Sequence, residues 1–96
     1  MRFKVELRKK AVRFIKHECN AGDRAAFYDE LEKLRTDPIS NSGPVYDPAI
    51  KPYMLRQFRF GQCLAIFEVQ PAAEKIIVRV CKKKPPSNII ARNADP

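Results

Sequence analysis

The start of the chain alternates between apolar and charged side chains. Phe3, Val5 and Leu7 occupy every second position, and the positions between them are charged. Because successive side chains of a β-strand point to opposite faces, this alternation predicts a half-buried strand. Apolar residues then recur at helical spacing, which predicts a short amphipathic helix from about Arg8 to Cys19.

A second helix is predicted after a break at residues 20–22, and Asp23 is the residue expected to cap it. Its apolar stripe consists of Phe27, Leu31 and Leu34. The helix should end at Asp37, because the residue before a proline avoids helical angles. Residues 36–52 contain four prolines, which predict either a loop or an edge strand that the prolines interrupt.

Strands dominate the second half of the chain. Apolar and β-branched runs predict strands at residues 53–60, 63–69 and 76–81. Short turns separate them, so they should form an antiparallel meander. The predicted fold is therefore α+β: an N-terminal strand, two helices and a three-stranded antiparallel meander, with the helices packed on one face of the sheet. We assign residues 1–84 to a single domain and residues 85–96 to an extended C-terminal tail.

The charge balance narrows the choice of partners. The 96 residues include 19 lysines and arginines against 11 aspartates and glutamates, for a formal net charge of +8, and the cations concentrate in residues 2–16 and 75–84. Such a domain attracts polyanions such as nucleic acid, although scattered surface lysines would give the same total. Because the sequence has no apolar run of membrane-spanning length and no export signal, we expect a cytoplasmic protein without a membrane partner.

Several common catalytic arrangements are missing. His17 is the only histidine, and Cys19 lies two positions away, where it cannot face His17 on a helix. The three cysteines are an odd number, and without an export signal we expect them to be reduced. The sequence has neither a Cys/His cluster nor a glycine-rich phosphate loop, so we expect no metal or other cofactor.

Arginines within the predicted strands are the remaining chemical signal. Regular alternation places Arg56 on the side of Phe58 and places Arg59 on the other side. An arginine among apolar residues is costly unless its guanidinium reaches solvent, a partner or a phosphate. These arginines, Arg79 and the lysines after it can line one concave patch that binds phosphates. Alternatively, each arginine lies over the solvent face and pairs with a glutamate. The candidate partners are Glu6, Glu68 and Glu74.

Short segments of the chain carry a family resemblance. They are Leu31-Glu-Lys-Leu-Arg-Thr-Asp-Pro38, Leu55-Arg-Gln-Phe-Arg-Phe-Gly61, Leu64-Ala-Ile-Phe-Glu-Val69 and the closing Ile76-Ile-Val-Arg-Val-Cys-Lys-Lys-Lys84. Together they resemble the RelE/ParE superfamily of bacterial toxins over about residues 2–84. The resemblance implies the same order of strand, helices and meander, and a cognate antitoxin protein as partner.

The resemblance also implies an activity. RelE-like members cleave mRNA on the ribosome, whereas ParE-like members act on DNA gyrase. In the nuclease branch, the 2′-hydroxyl of the RNA attacks the adjacent phosphate, and cations stabilise the charge that builds on its oxygens. The catalytic residues would then be Arg59, Arg79 and Lys82, and the RNA-binding residues Arg56, Lys83 and Lys84.

Two departures from the family pattern leave three functions open. Leu64 stands where nuclease members commonly carry an arginine, and no tyrosine follows Lys84. Both departures favour a ParE-like inhibitor that binds DNA gyrase, or a catalytically degenerate binding protein with the toxin fold. The basic strands favour a ribosome-dependent mRNA endonuclease, which is our leading interpretation.

Overall fold

The computed structural model describes residues 2–45 and 54–83. Its elements are β1 (Lys4–Leu7), α1 (Lys9–His17), α2 (Ala21–Thr36), β2 (Gly43–Pro44), β3 (Met54–Phe60), β4 (Cys63–Gln70), a short 3-10 helix (Pro71–Ala73) and β5 (Lys75–Lys83). This order confirms the predicted strand, pair of helices and meander. The predicted tail at residues 85–96 lies outside the described residues, as does Lys84.

The strands form one mixed sheet in the order β1-β5-β4-β3-β2. β3, β4 and β5 are antiparallel neighbours, as the meander requires. β1 joins one edge and runs parallel to β5, with Lys4 opposite Lys75 and Leu7 opposite Val78. At the other edge lies β2, which has two residues, Gly43 and Pro44, so the described part of the proline-rich segment is mostly loop with one short edge strand, and its residues 46–52 lie outside the described residues.

The helices differ from their predicted bounds. α1 runs from Lys9 to His17 and is shorter than the predicted span from about Arg8 to Cys19. α2 begins earlier than expected, because Asn20 is its N-cap and accepts a hydrogen bond of 2.7 Å from the backbone N–H of Asp23. The prediction that Asp23 caps this helix was therefore wrong. The longest described helix, α2, has 16 residues, and none of the helices described is long and apolar enough to cross a lipid bilayer.

The core lies between the two helices and one face of the sheet. Phe27 of α2 is fully buried, and its ring lies 5.9 Å from that of Phe58 and 5.0 Å from that of Phe60. Ala11 and Ile15 bring α1 into the same core. These are the positions that the apolar spacing predicted, and their burial places both helices on one face.

The turn between β3 and β4 depends on a glycine. Gly61 has a φ of 60°, in the left-handed region that side chains disfavour. A β-carbon at this position would also overlap the carboxylate of Asp23. That carboxylate accepts hydrogen bonds from the backbone N–H of Gln62 at 3.4 Å and the thiol of Cys63 at 3.6 Å. Asp23 thus joins the start of α2 to the β3–β4 turn.

Candidate nucleic-acid interface

The sheet face opposite the helices, which we call the open face, carries a row of three residues across three strands. The register places Arg59 of β3 opposite Leu64 of β4, and Leu64 opposite Lys82 of β5. Neighbouring strands are about 4.8 Å apart, so the α-carbons of the two cations are separated by roughly 10 Å. Both cations are exposed, and neither forms an ion pair with another described residue. The row Arg59–Leu64–Lys82 therefore presents two available positive charges on one surface.

A bulge in β5 decides where Lys82 lies. Ile66 pairs with Val80 and the next residue, Phe67, pairs with Val78, so Arg79 is an extra residue in its strand. A bulge of this kind changes the face to which the following side chains point. Arg79 follows the core residue Val78 and lies on the open face with Glu68 by simple alternation, whereas the bulge turns Lys82 to the same face.

Glu68 and Arg79 form an ion pair on this face. The Glu68 side chain is 6% exposed and that of Arg79 is 42% exposed, with 3.1 Å between Oε1 and Nη1. The amide of Gln70 donates a second hydrogen bond to Glu68 at 2.7 Å. For Arg79, the alternative of a glutamate partner is therefore confirmed, and its guanidinium has fewer donors available to a phosphate than that of Arg59.

Arg56 lies on the other face and holds a loop. Its Nε donates to Ser42 Oγ at 2.6 Å, and its Nη2 donates to the carbonyl oxygens of Ser42 at 2.9 Å and Ile39 at 3.2 Å. These contacts connect β3 to the segment that follows α2. Arg56 therefore does not join the open face, which corrects the expectation that the strand arginines line one patch.

The lysines at the end of β5 also separate. Lys83 pairs with Cys63, whose side chain is buried among the helices, so Lys83 points to the helix side of the sheet while Lys82 points to the open face. Lys84 is outside the described residues. Of the predicted site residues, Arg59, Arg79 and Lys82 share the open face, and Arg56 and Lys83 do not.

A cleft beside Arg59 was not apparent from the sequence. Because β2 pairs only with Arg56 and Gln57, the described edge of β3 beyond Gln57 has no neighbouring strand. The cleft there has a volume of about 430 Å³, and its lining includes Glu30, Asn41, Ser42, Gln57, Arg59 and Leu64. Such a volume is typical of small-ligand sites. Sequence reasoning missed Asn41 and Ser42 because nothing in a proline-rich loop indicates which strand it approaches.

The three cysteines are buried and carry free thiols. Burial raises the pKa of Cys63 and of Cys81 to about 12, and burial also raises the pKa of Cys19. Thiols with such pKa values are protonated at neutral pH and are therefore poor nucleophiles. Over residues 2–45 and 54–83, no group of three histidine, cysteine or acidic side chains is arranged to hold a metal ion.

Comparisons with known proteins support the fold through structure alone. No family model and no curated protein sequence matches the chain. The archaeal RelE–RelB complex from Pyrococcus horikoshii contains a similar chain, with a TM-score of 0.74 and 16% identity over 90% of this chain and 99% of that one. A chain of the RelBE2 toxin–antitoxin complex from Mycobacterium tuberculosis has a TM-score of 0.74 and 13% identity, over 88% of this chain and 93% of that one. The isolated Escherichia coli RelE toxin has a TM-score of 0.73 and 11% identity, over 95% of this chain and 94% of that one. The chain therefore has the fold of RelE toxins.

Proposed function

Because the chain has the RelE toxin fold, we propose that it is the toxin of a toxin–antitoxin pair and cleaves mRNA on the ribosome in the cytoplasm. The row Arg59–Leu64–Lys82 carries this proposal. Its two cations are exposed on the open face and are separated by roughly the width of two strand spacings. Cations in this arrangement can hold a phosphate from two sides.

The proposed chemistry uses the RNA as its own nucleophile. The 2′-oxygen attacks the adjacent phosphorus, the bond from phosphorus to the 5′-oxygen breaks, and the products are a 2′,3′-cyclic phosphate and a 5′-hydroxyl. The proton of the 2′-hydroxyl leaves to water, and the departing 5′-oxygen takes a proton from water. Arg59 and Lys82 stabilise the negative charge that builds on the non-bridging phosphate oxygens. Removing one such donor typically lowers the rate about 100-fold to 1,000-fold.

Arg79 has a supporting part in this proposal. Its ion pair with Glu68 fixes the guanidinium on the open face, and a guanidinium has five N–H donors. The donors that Glu68 does not use can hold an RNA phosphate beside the reacting one. This positioning role differs from the direct catalytic role that the sequence suggested for Arg79.

A non-catalytic toxin is the second candidate function. Leu64 occupies the centre of the row, and Arg79 is already paired, so the open face has fewer available cations than its sequence implies. A surface of this kind can bind a protein target such as DNA gyrase without cleaving anything. The same features are compatible with a binding protein that has lost its activity.

We also propose an antitoxin as the protein partner. One of the similar structures is described as a toxin–antitoxin complex, and another as a RelE–RelB complex. The open face of this chain combines half-buried apolar side chains, such as Leu64 and Ile66, with Arg59 and Lys82. An acidic amphipathic segment would cover both kinds of group. We therefore expect the complex to weaken as ionic strength rises, because salt screens exposed charges.

Induced expression in bacteria tests the proposed activity. The wild-type chain should arrest growth and produce mRNA 5′ ends in phase with codons, whereas the Arg59→Ala/Lys82→Ala variant should produce few cuts. Lys16→Ala/Lys33→Ala is a control for lost charge, because it removes two exposed helical lysines that lie away from the open face. Of these two, Lys33 has a carboxylate partner, Glu30, at 3.2 Å. Arrest with intact mRNA and impaired DNA supercoiling would support the gyrase alternative. Absence of arrest would indicate an inactive binding protein.

A further inference from the structure

A second group of cations meets where β1 leads into α1. The backbone N–H of Arg8 donates to the carbonyl oxygen of Val78 at 3.0 Å, which places the start of α1 against the bulge of β5. The space between them is a cleft of about 600 Å³, which we call the basic cleft, and it is lined by Arg8, Lys9, Lys10, Arg79 and Val80. Four of these five side chains are cationic and none is acidic.

The protein itself does little to neutralise this charge. Among the described residues, Arg8, Lys9 and Lys10 have no ion pair, and only Arg79 has a carboxylate partner. The first turn of α1 contains no acidic residue. Like charges held this close together repel one another, and they also oppose the positive end of the helix dipole. An anion in the basic cleft would remove much of this repulsion.

Arg79 connects the basic cleft with the open face. It lines the cleft, and its ion pair with the buried Glu68 fixes its position on the sheet. Along β5, Arg79 and Lys82 are three positions apart, a distance of roughly 10 Å at the rise of a strand. A single polyanion strand can therefore contact the row Arg59–Leu64–Lys82 and continue into the basic cleft.

We propose that the basic cleft is a second phosphate site, which binds the backbone of the same RNA strand beyond the residue that is cut. The identity of the ligand as RNA rests on the proposed function. RNA fits better than a lipid surface, because the cations line a concave cleft that a flat bilayer cannot enter. It also fits better than an isolated anion, because the cleft continues into a surface with further cations.

Binding of a non-cleavable RNA tests this site. The probe is a fluorescent single-stranded RNA of about 12 nucleotides, a length within the usual site size of proteins that bind single-stranded nucleic acid. Its 2′-O-methyl groups remove the attacking nucleophile. Anisotropy titrations over a range of salt concentrations compare the wild type with Lys9→Ala/Lys10→Ala. The control is again Lys16→Ala/Lys33→Ala, which removes two helical lysines, although Lys33, unlike Lys9 and Lys10, has a carboxylate partner in Glu30. Thermal unfolding should show that all variants are folded, since alanine favours a helix at each position.

We expect the Lys9→Ala/Lys10→Ala variant to lose about tenfold or more in affinity at about 0.1 M salt. A plot of the logarithm of its binding constant against the logarithm of the salt concentration should be shallower by about 1.4 in slope, which corresponds to two lost phosphate contacts on a single strand. The control should change affinity by less than about threefold, because salt screens the interaction of the RNA with exposed lysines that lie away from it.

Other outcomes separate this site from the proposed function. If Arg59→Ala/Lys82→Ala weakens RNA binding and Lys9→Ala/Lys10→Ala matches the control, the basic cleft is not an RNA site, although the open face is. If the wild type binds anionic phospholipid vesicles but not the RNA, the inference is overturned in favour of a membrane. Cleavage of mRNA in cells with unchanged binding by the Lys9→Ala/Lys10→Ala variant would overturn this site alone.

Discussion

Arg56 and Arg59 lie three positions apart on one strand and should respond in opposite ways to replacement. Arg56 makes three hydrogen bonds to the segment after α2, whereas Arg59 is exposed and has no ion pair with a described residue. We expect Arg56→Ala to reduce stability and Arg59→Ala to reduce activity. The pair thus separates a structural arginine from a functional one.

The magnitude follows from the contacts. A hydrogen bond in a protein has a net value of about 1 kcal/mol, so the loss of three should lower the free energy of unfolding by about 2–3 kcal/mol. In a domain of this size, that corresponds to a decrease in Tm of roughly 10–20 °C. Replacement of an exposed side chain without partners changes stability by less than about 0.5 kcal/mol, so Arg59→Ala should change Tm by at most about 4 °C.

Thermal unfolding followed by circular dichroism, together with RNA binding below both transitions, provides the assay. Arg56→Lys is a useful intermediate, because an ammonium keeps the charge but cannot reach all three acceptors with the geometry of a guanidinium. We expect its Tm to lie between those of the wild type and Arg56→Ala. A wild-type Tm for Arg56→Ala, or a similar loss of RNA affinity in both alanine variants while they are folded, would refute this reasoning.

Three further predictions concern the turn, the buried thiols and the ion pair. Gly61→Ala should lower the free energy of unfolding by about 1–3 kcal/mol in a urea titration, because its φ is positive and the new methyl group would meet the start of α2; a wild-type value would contradict this. Because burial raises the pKa of Cys63 from 9.0 to about 12, the thiolate forms first in the unfolded chain, so stability should fall between about pH 9 and pH 12. Cys63→Ala should make that fall shallower, and an unchanged slope would refute the assignment. Glu68→Gln should release Arg79 and increase RNA affinity several-fold relative to the exposed-site control Glu74→Gln, and equal affinities would exclude Arg79 from the RNA site.

Local patterns predicted the elements of this fold, but pairing between distant segments decided the site. The alternation in β1 and the apolar spacing of α1 and α2 predicted their buried faces, because each depends on a single local period. The same period placed Arg56 and Arg59 on different faces of β3. No local period predicts that β1 runs beside β5, since that pairing joins the two ends of the described chain.

The charged residues were harder to place for two reasons. A single bulge turned Lys82 onto the open face, and a bulge leaves no clear sign in the sequence. The partners of Arg56 lie in a proline-containing loop, where composition indicates irregular structure but not its position. Consequently, Arg59 and Lys82 were predicted as site residues from the sequence but Lys9 and Lys10 were not, because these lysines reach the basic cleft only through the pairing of β1 with β5.

The parallel pairing of β1 with β5 also sets the time at which the basic cleft can first form during synthesis. Among the described elements, β1 is made first and its partner strand β5 is made last. At usual elongation rates, roughly 3–14 s separate the two. Until β5 arrives, the apolar sides of β1 and α1 have no sheet edge to join. A growing chain therefore lacks the basic cleft until β5 has left the ribosome.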